Sequence, residues 1–203
     1  MAETKNKKLA VGPQLGALAS LMNANSLYEK IKERLSLSQN QEVLIVSECL
    51  KAELALAWLN VSKRGRHIAD EYYDALLFDI FSELEIDTPE MPGLYEYISP
   101  DKSAWVNDIT SYYLMGNMDD SAKEWVYSKI WWDESNPDEN ILIKLVLKLH
   151  YRIFNALGVY QWKDEKFGIM QKLHTLLSSH FISTQNQIWS TLEFQLENPA
   201  KDD

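Results

Sequence analysis

Apolar residues recur along most of the chain at spacings of three and four, the pattern of helices with one buried face. Capping boxes mark two helix starts, since Ser26 and Ser38 are followed three residues later by Glu29 and Gln41. The sequence therefore predicts an all-α fold, a single-domain bundle or array of about eight or nine helices. The predicted spans are 13–23, 26–36, 39–60, 65–85, 100–115, 120–132, 137–157, 165–180 and 185–197.

Two of these segments are apolar on most of their sides. In 137–157 the polar side chains form one narrow stripe, made of Lys144, Lys148 and Arg152. Residues 43–59 are similarly apolar. Because a helix that is apolar on most sides is buried on most sides, these two helices are expected to be central.

The segment 65–85 is amphipathic, with one clear apolar arc. The arc is formed by Ala69, Tyr72, Tyr73, Leu76, Leu77, Ile80 and Leu84. The opposite side carries Asp70, Glu71 and Asp74, with Phe78 set among them. These four residues, called the acidic face below, are predicted to be exposed.

Glycine and proline are scarce, with seven and six in 203 residues, which disfavours a turn-rich β fold. The one proline-rich break lies near 88–93, and the chain is expected to form one domain over 1–203 with flexible ends at 1–10 and 198–203. No segment has the length of apolar chain that a membrane span needs. A soluble, cytoplasmic protein is the expectation, and the single cysteine, Cys49, is expected to be a buried apolar residue.

Charge is distributed unevenly along the chain. The net charge is −10, but residues 68–139 carry 18 acidic and three basic residues, and the remainder of the chain is net positive. Asp119 and Asp120 belong to this acidic segment and are predicted, with the acidic face, to bind a partner. A one-sign surface attracts an oppositely charged partner, so a basic protein is the expected partner.

A surface that only maintains solubility explains the same charges equally well. Direct nucleic-acid binding is not expected, because that requires a basic surface.

Glu53 is the most unusual interior residue in the sequence. The residues three and four positions away are apolar, so its carboxylate is expected to face the core, where it must be paired or protonated. His150 or Arg152 of the other central helix are the predicted partners, and the three residues form a candidate interior site. A purely structural pair is the favoured interpretation.

Catalytic and cofactor motifs are lacking in the sequence. It contains no P-loop, no Gly-x-Ser-x-Gly and no Gly-x-Gly-x-x-Gly, and no histidine stands in a metal-binding frame. No catalytic residue, metal ligand or cofactor is therefore predicted.

Three functions remain open at this point. The first is a non-catalytic module whose acidic face binds a basic protein, as an inhibitor, an immunity-type protein or a nucleic-acid mimic would. The second is a small-molecule-binding or enzymatic bundle with an interior site near Glu53 and His150. The third is a structural subunit of a larger assembly, and the oligomeric state is left open.

Overall fold

The structure is a computed structural model that describes residues 3–63, 65–85, 91, 93–121, 137–158 and 172–184. Every regular element among these residues is helical, which confirms the all-α prediction for this part of the chain. The elements are α1 (Glu3–Lys32), α2 (Gln39–Ser62), α3 (Arg66–Glu85), α4 (Leu94–Ile98), a 3-10 turn (Ser99–Asp101), α5 (Lys102–Asp108), a π-helix (Ile109–Leu114), α6 (Pro137–Ala156) and a helix over 172–184. The predicted total of eight or nine helices is not confirmed. The predicted helices 120–132 and 185–197 fall largely or wholly outside the described residues.

Helix α1 is one continuous helix where the sequence predicted two. Its buried row passes straight through the predicted break at residues 24–25, from Leu21 and Ala24 to Leu27 and Ile31. Ser26 therefore lies inside the helix and does not cap a new one. Continuous burial of the apolar row outweighs a four-residue capping motif, which is a weak signal by itself.

Helix α2 lies at the centre of the fold, as predicted. It contacts α1, α3, α4, the π-helix and α6, and it is buried almost continuously from Ile45 to Ala57. Its first turn begins at the predicted capping box, in which the backbone N–H of Ser38 donates to the Gln41 side chain at 3.0 Å. Cys49 is fully buried within it, as expected.

Helix α3 packs its apolar arc inwards against α1 and α2. All seven predicted arc residues are buried, so the prediction for this helix is confirmed residue by residue. Its N-terminus follows Gly65, and its bounds agree with the predicted span to within one residue.

The predicted helix 100–115 is divided into several short elements. Asp101 provides the N-cap of α5, because its carboxylate accepts from the backbone N–H of Ala104 at 2.8 Å. The chain then widens into a π-helix, shown by the bond from the N–H of Met115 to the carbonyl of Thr110 at 2.8 Å. The short helix α4, which precedes these elements, was not predicted.

Helix α6 packs against α2 and ends where the sequence predicted. Gly158 has a φ of +67°, a left-handed conformation that glycine adopts without steric cost. The helix over 172–184 extends four residues beyond its predicted end at 180. None of the described helices has both the length and the apolar character needed to cross a membrane.

Candidate functional site: a groove beside helix α3

The acidic face is exposed, as the amphipathic pattern of α3 predicted. Asp70, Glu71 and Asp74 are all exposed, and the Phe78 side chain is 72% exposed. Because Asp70, Asp74 and Phe78 are spaced by four residues, they lie along one side of the helix. A large apolar side chain with this much exposure is uncommon, although single cases need no function.

An open groove lies between α3 and the segment formed by α5 and the π-helix. Its volume is about 440 Å³. The apolar part of its lining consists of Tyr73, Leu77, Val106, Leu114 and Met115. The polar part consists of Arg66, Asp70, Asp74 and Thr110, with Trp58 of α2 beside them. We call this cavity the α3 groove. Two residues of the predicted acidic face thus border an apolar cavity of ligand-binding size.

Asp70 is held in place at the edge of the groove. Its Oδ1 accepts a hydrogen bond from Trp58 Nε1 at 3.1 Å, and Arg66 Nε lies 4.0 Å from its Oδ2. Asp74 and Glu71 form no ion pair with any other described residue. Their charges are therefore available to an incoming cation.

Tyr73 contributes a buried hydroxyl to this region. Its OH has no hydrogen-bond partner among the described residues. Burial raises the pKa of Tyr73 well above its ordinary value, and the charge of Asp74 raises it further. The hydroxyl therefore remains protonated at neutral pH.

Asp119 and Asp120 are exposed, as predicted, but neither lines the α3 groove. They follow Met115, which does line the groove and whose side chain is 63% exposed. Met115 could not be singled out from the sequence, because its exposure depends on where the π-helix ends.

The predicted interior site does not form a single cluster. Glu53 is fully buried, as expected, but its partner is His180, whose Nε2 lies 2.8 Å from Glu53 Oε1. The predicted pairing with His150 or Arg152 is wrong. Burial raises the pKa of Glu53, and the hydrogen bond and charge of His180 partly offset that rise. His180 was overlooked because it is 127 residues away in the sequence.

His150 has different, mainly aromatic surroundings. Its ring lies 4.7 Å from that of Phe154 and 5.8 Å from that of His174, between centroids. Burial, and then the nearby His174, lower the pKa of His150 to about 3. The imidazole is therefore neutral at physiological pH and is part of the core.

Arg152 belongs to a cluster of charges between α2, α5 and α6. Lys51 Nζ donates to Glu48 Oε1 at 2.7 Å and to Asp108 Oδ2 at 2.6 Å. Arg152 Nη2 donates to the other oxygen of Asp108 at 2.7 Å. Glu48 and Lys51 are buried, whereas the side chains of Asp108 and Arg152 are partly exposed. The two acids and two bases of this cluster balance, which is what burial of charge requires.

The π-helix completes this arrangement with two tyrosines. The Tyr113 hydroxyl donates to Glu48 Oε2 at 2.7 Å, and the Tyr112 hydroxyl donates to the carbonyl of Lys148 at 3.1 Å. The Lys148 ammonium donates in turn to the carbonyl of Tyr113 at 2.7 Å. The polar stripe predicted on α6 therefore faces polar groups inside the protein. It also fixes the π-helix that forms one wall of the α3 groove.

No group of three or more histidine, cysteine, aspartate or glutamate side chains suited to a metal ion occurs among the described residues. Comparison of the chain with protein-family models, with curated proteins and with solved structures yields no significant match. The inference of function therefore depends on the geometry of the groove and of the cavities.

Proposed function

We propose that this chain is a non-catalytic protein-binding module, and that its α3 groove and acidic face receive a basic amphipathic segment of a partner protein. The observation that supports this most is the combination of an open apolar cavity with unpaired carboxylates beside it. An inhibitor, an immunity-type protein or a nucleic-acid mimic would use such an acidic surface against a basic partner.

Two apolar side chains support the proposal. Phe78 lies one turn beyond Asp74 on α3, and Met115 lies on the opposite wall of the groove. Both are largely exposed, at 72% and 63%. Large aromatic side chains and methionine are enriched where proteins bind one another, so both are suited to pack against a partner.

Charge supports the other half of the proposal. Asp74 and Glu71 form no ion pair with another described residue, and they lie within the segment of net charge −15. Such a field raises the rate of association with a basic partner and weakens as salt is added. The basic face of an amphipathic helix would meet these carboxylates while its apolar face enters the groove.

The test uses two variants with the same change in net charge. In the first, Glu71→Lys/Asp74→Lys reverses the two unpaired carboxylates and leaves the Asp70–Trp58 bond intact. In the matched control, Glu29→Lys/Glu96→Lys reverses two exposed carboxylates that do not line the groove. Tagged proteins capture partners from the native host at about 50 mM and at about 300 mM salt, and the higher concentration shortens the Debye length about 2.5-fold.

We expect wild type and control to capture the same basic protein, more strongly at low salt, and the groove variant to lose it. With that protein purified, the NMR signal of the Trp58 indole N–H should shift on binding. Phe78→Ser should weaken binding without altering its salt dependence. Equal loss in the control variant, or capture of no basic protein by wild type, would refute the proposal.

A further inference from the structure

A second cavity differs in its chemistry from the α3 groove. It lies between α1 and the helix over 172–184 and has a volume of about 390 Å³. Lys30 and Arg34 line it from the end of α1, and His180 lines it from the other helix. We call it the α1 pocket.

The cations of the α1 pocket are available to a ligand. Neither Lys30 nor Arg34 forms an ion pair with a carboxylate in the described part of the chain, although Arg34 Nη1 donates to the carbonyl of Lys30 at 2.6 Å. Lys32, in the same turn, is instead paired with Glu42 at 3.2 Å and does not line the pocket.

Cations in the last turn of a helix also stabilise the helix dipole, which accounts for Lys30 without any ligand. The dipole does not account for the serine hydroxyl groups in the lining. Ser26 lines the pocket from α1, Ser179 and Ser183 line it from the other helix, and their hydroxyls form no hydrogen bond with another described residue. Each of these hydroxyls can donate to an anionic oxygen.

His180 connects the pocket to the interior. Its Nε2 is bonded to the fully buried Glu53, and Thr184 Oγ1 lies 3.4 Å from the same nitrogen. Only Nδ1 is left for a ligand, and the bond to Glu53 fixes the orientation of the ring. The other oxygen of Glu53, Oε2, is buried and has no hydrogen-bond partner among the described residues. Among these residues the carboxylate therefore bonds to His180 and to no other side chain.

From these contacts we infer that the α1 pocket binds a small hydroxylated molecule bearing a phosphate monoester. The phosphate has three acceptor oxygens and nearly two negative charges, which match Lys30, Arg34 and the serine hydroxyls. Glu33 also lines the pocket and repels a bare anion, but it accepts hydrogen bonds from hydroxyl groups on the remainder of such a ligand.

The experiment titrates the protein with glycerol 3-phosphate, the simplest ligand of this class, and follows the histidine ring signals by NMR. The ring signals of His180 are expected to shift and saturate, while those of the exposed His67 remain unchanged. Glycerol at the same concentrations should leave the His180 signals unchanged.

Two variants with equal net charge locate the site. Lys30→Gln/Arg34→Gln removes the pocket cations, and Lys32→Gln/Lys172→Gln removes two cations outside the pocket. Losing two charge-assisted hydrogen bonds should raise Kd by about tenfold or more in the first variant, and the second should stay within about twofold of wild type. Equal Kd values in the two variants, no saturable shift of His180, or equal binding of glycerol would overturn the inference.

Discussion

Replacing Lys51 with methionine is expected to destabilise the protein strongly while preserving its shape. Lys51 is 6% exposed at the side chain and contacts two carboxylates, at 2.7 Å and 2.6 Å. Methionine fills a similar volume but has no charge, so Glu48 and Asp108 both lose the ammonium group that they share. Removing one partner from a buried ion pair costs about 3–5 kcal/mol of unfolding free energy.

The expected loss lies at the lower end of that range, about 3 kcal/mol, because both carboxylates keep another partner. Asp108 retains Arg152, and Glu48 retains the hydroxyl of Tyr113. For a chain of this length that loss corresponds to a fall in Tm of roughly 6–12 °C. Burial by itself lowers the pKa of Lys51, but the charges of Glu48 and Asp108 raise it above its ordinary value. The stabilisation is therefore fully present at pH 7 and is lost only as pH rises through that raised pKa.

Lys32→Met provides the matched control. Lys32 also pairs with a glutamate, at 3.2 Å, but its side chain is 44% exposed, and exposed pairs contribute less than about 1 kcal/mol. Urea unfolding followed by circular dichroism and by tryptophan fluorescence gives both free energies and tests whether the transitions coincide. A double-mutant comparison tests the pairing directly. The loss of unfolding free energy caused by Glu48→Gln should be smaller in the Lys51→Met protein than in wild type, by about 1 kcal/mol or more. If Lys51→Met cost no more than Lys32→Met, the argument from burial would be refuted.

Three further predictions follow from single contacts and conformations. Trp105→Phe should lower the unfolding free energy by about 1 kcal/mol, since the indole N–H donates to Ser47 Oγ at 2.8 Å in the core, and Ser47→Ala should add little to that loss. Gly116→Ala and Gly158→Ala should each lower the unfolding free energy by about 1 kcal/mol, because both glycines have a positive φ that alanine adopts only with strain. A much smaller loss at either position would contradict this explanation. The free energy of unfolding should fall by about 2 kcal/mol between pH 7 and pH 5 because of His150. In the folded protein its pKa of about 3 keeps the imidazole neutral, whereas in the unfolded chain the same imidazole takes up a proton over this range. Urea unfolding at the two pH values checks this, since His150→Leu should remove that part of the slope.

Periodicity predicted correctly how α2 and α3 are buried. It did so for the apolar arc of α3, for the burial of Glu53 and for the central position of α2. These predictions succeeded because burial of a residue on a helix depends mainly on its neighbours three and four positions away.

The sequence could not show which distant groups meet. The polar stripe on α6 was visible, but Glu48 and Asp108, which Arg152 faces, come from two other helices. The same limit applies to Glu53 and His180, which are far apart in the chain. The spacing of residues along one helix shows which side of that helix a side chain faces, but it does not show which residue of another helix it contacts.

Local motifs failed where a longer-range pattern opposed them. The capping box at Ser26 was overruled by the buried row of α1. The π-helix has no marker in the sequence, so the α3 groove, which depends on it, was not predicted.

The π-helix also makes the length of its segment as important as its composition. An α-helix turns by about 100° per residue, and a π-helix accommodates one residue more than an α-helix in the same turn. Asp108 and Tyr113 are five residues apart, which is close to one turn of a π-helix, so both side chains reach the same neighbouring helix, where they bind Lys51 and Glu48. In an α-helix the same five residues would span about 500° and place the two side chains about 140° apart. The wide turn is therefore what allows two side chains five positions apart to bind one helix, and α-helical winding of the same residues would separate them.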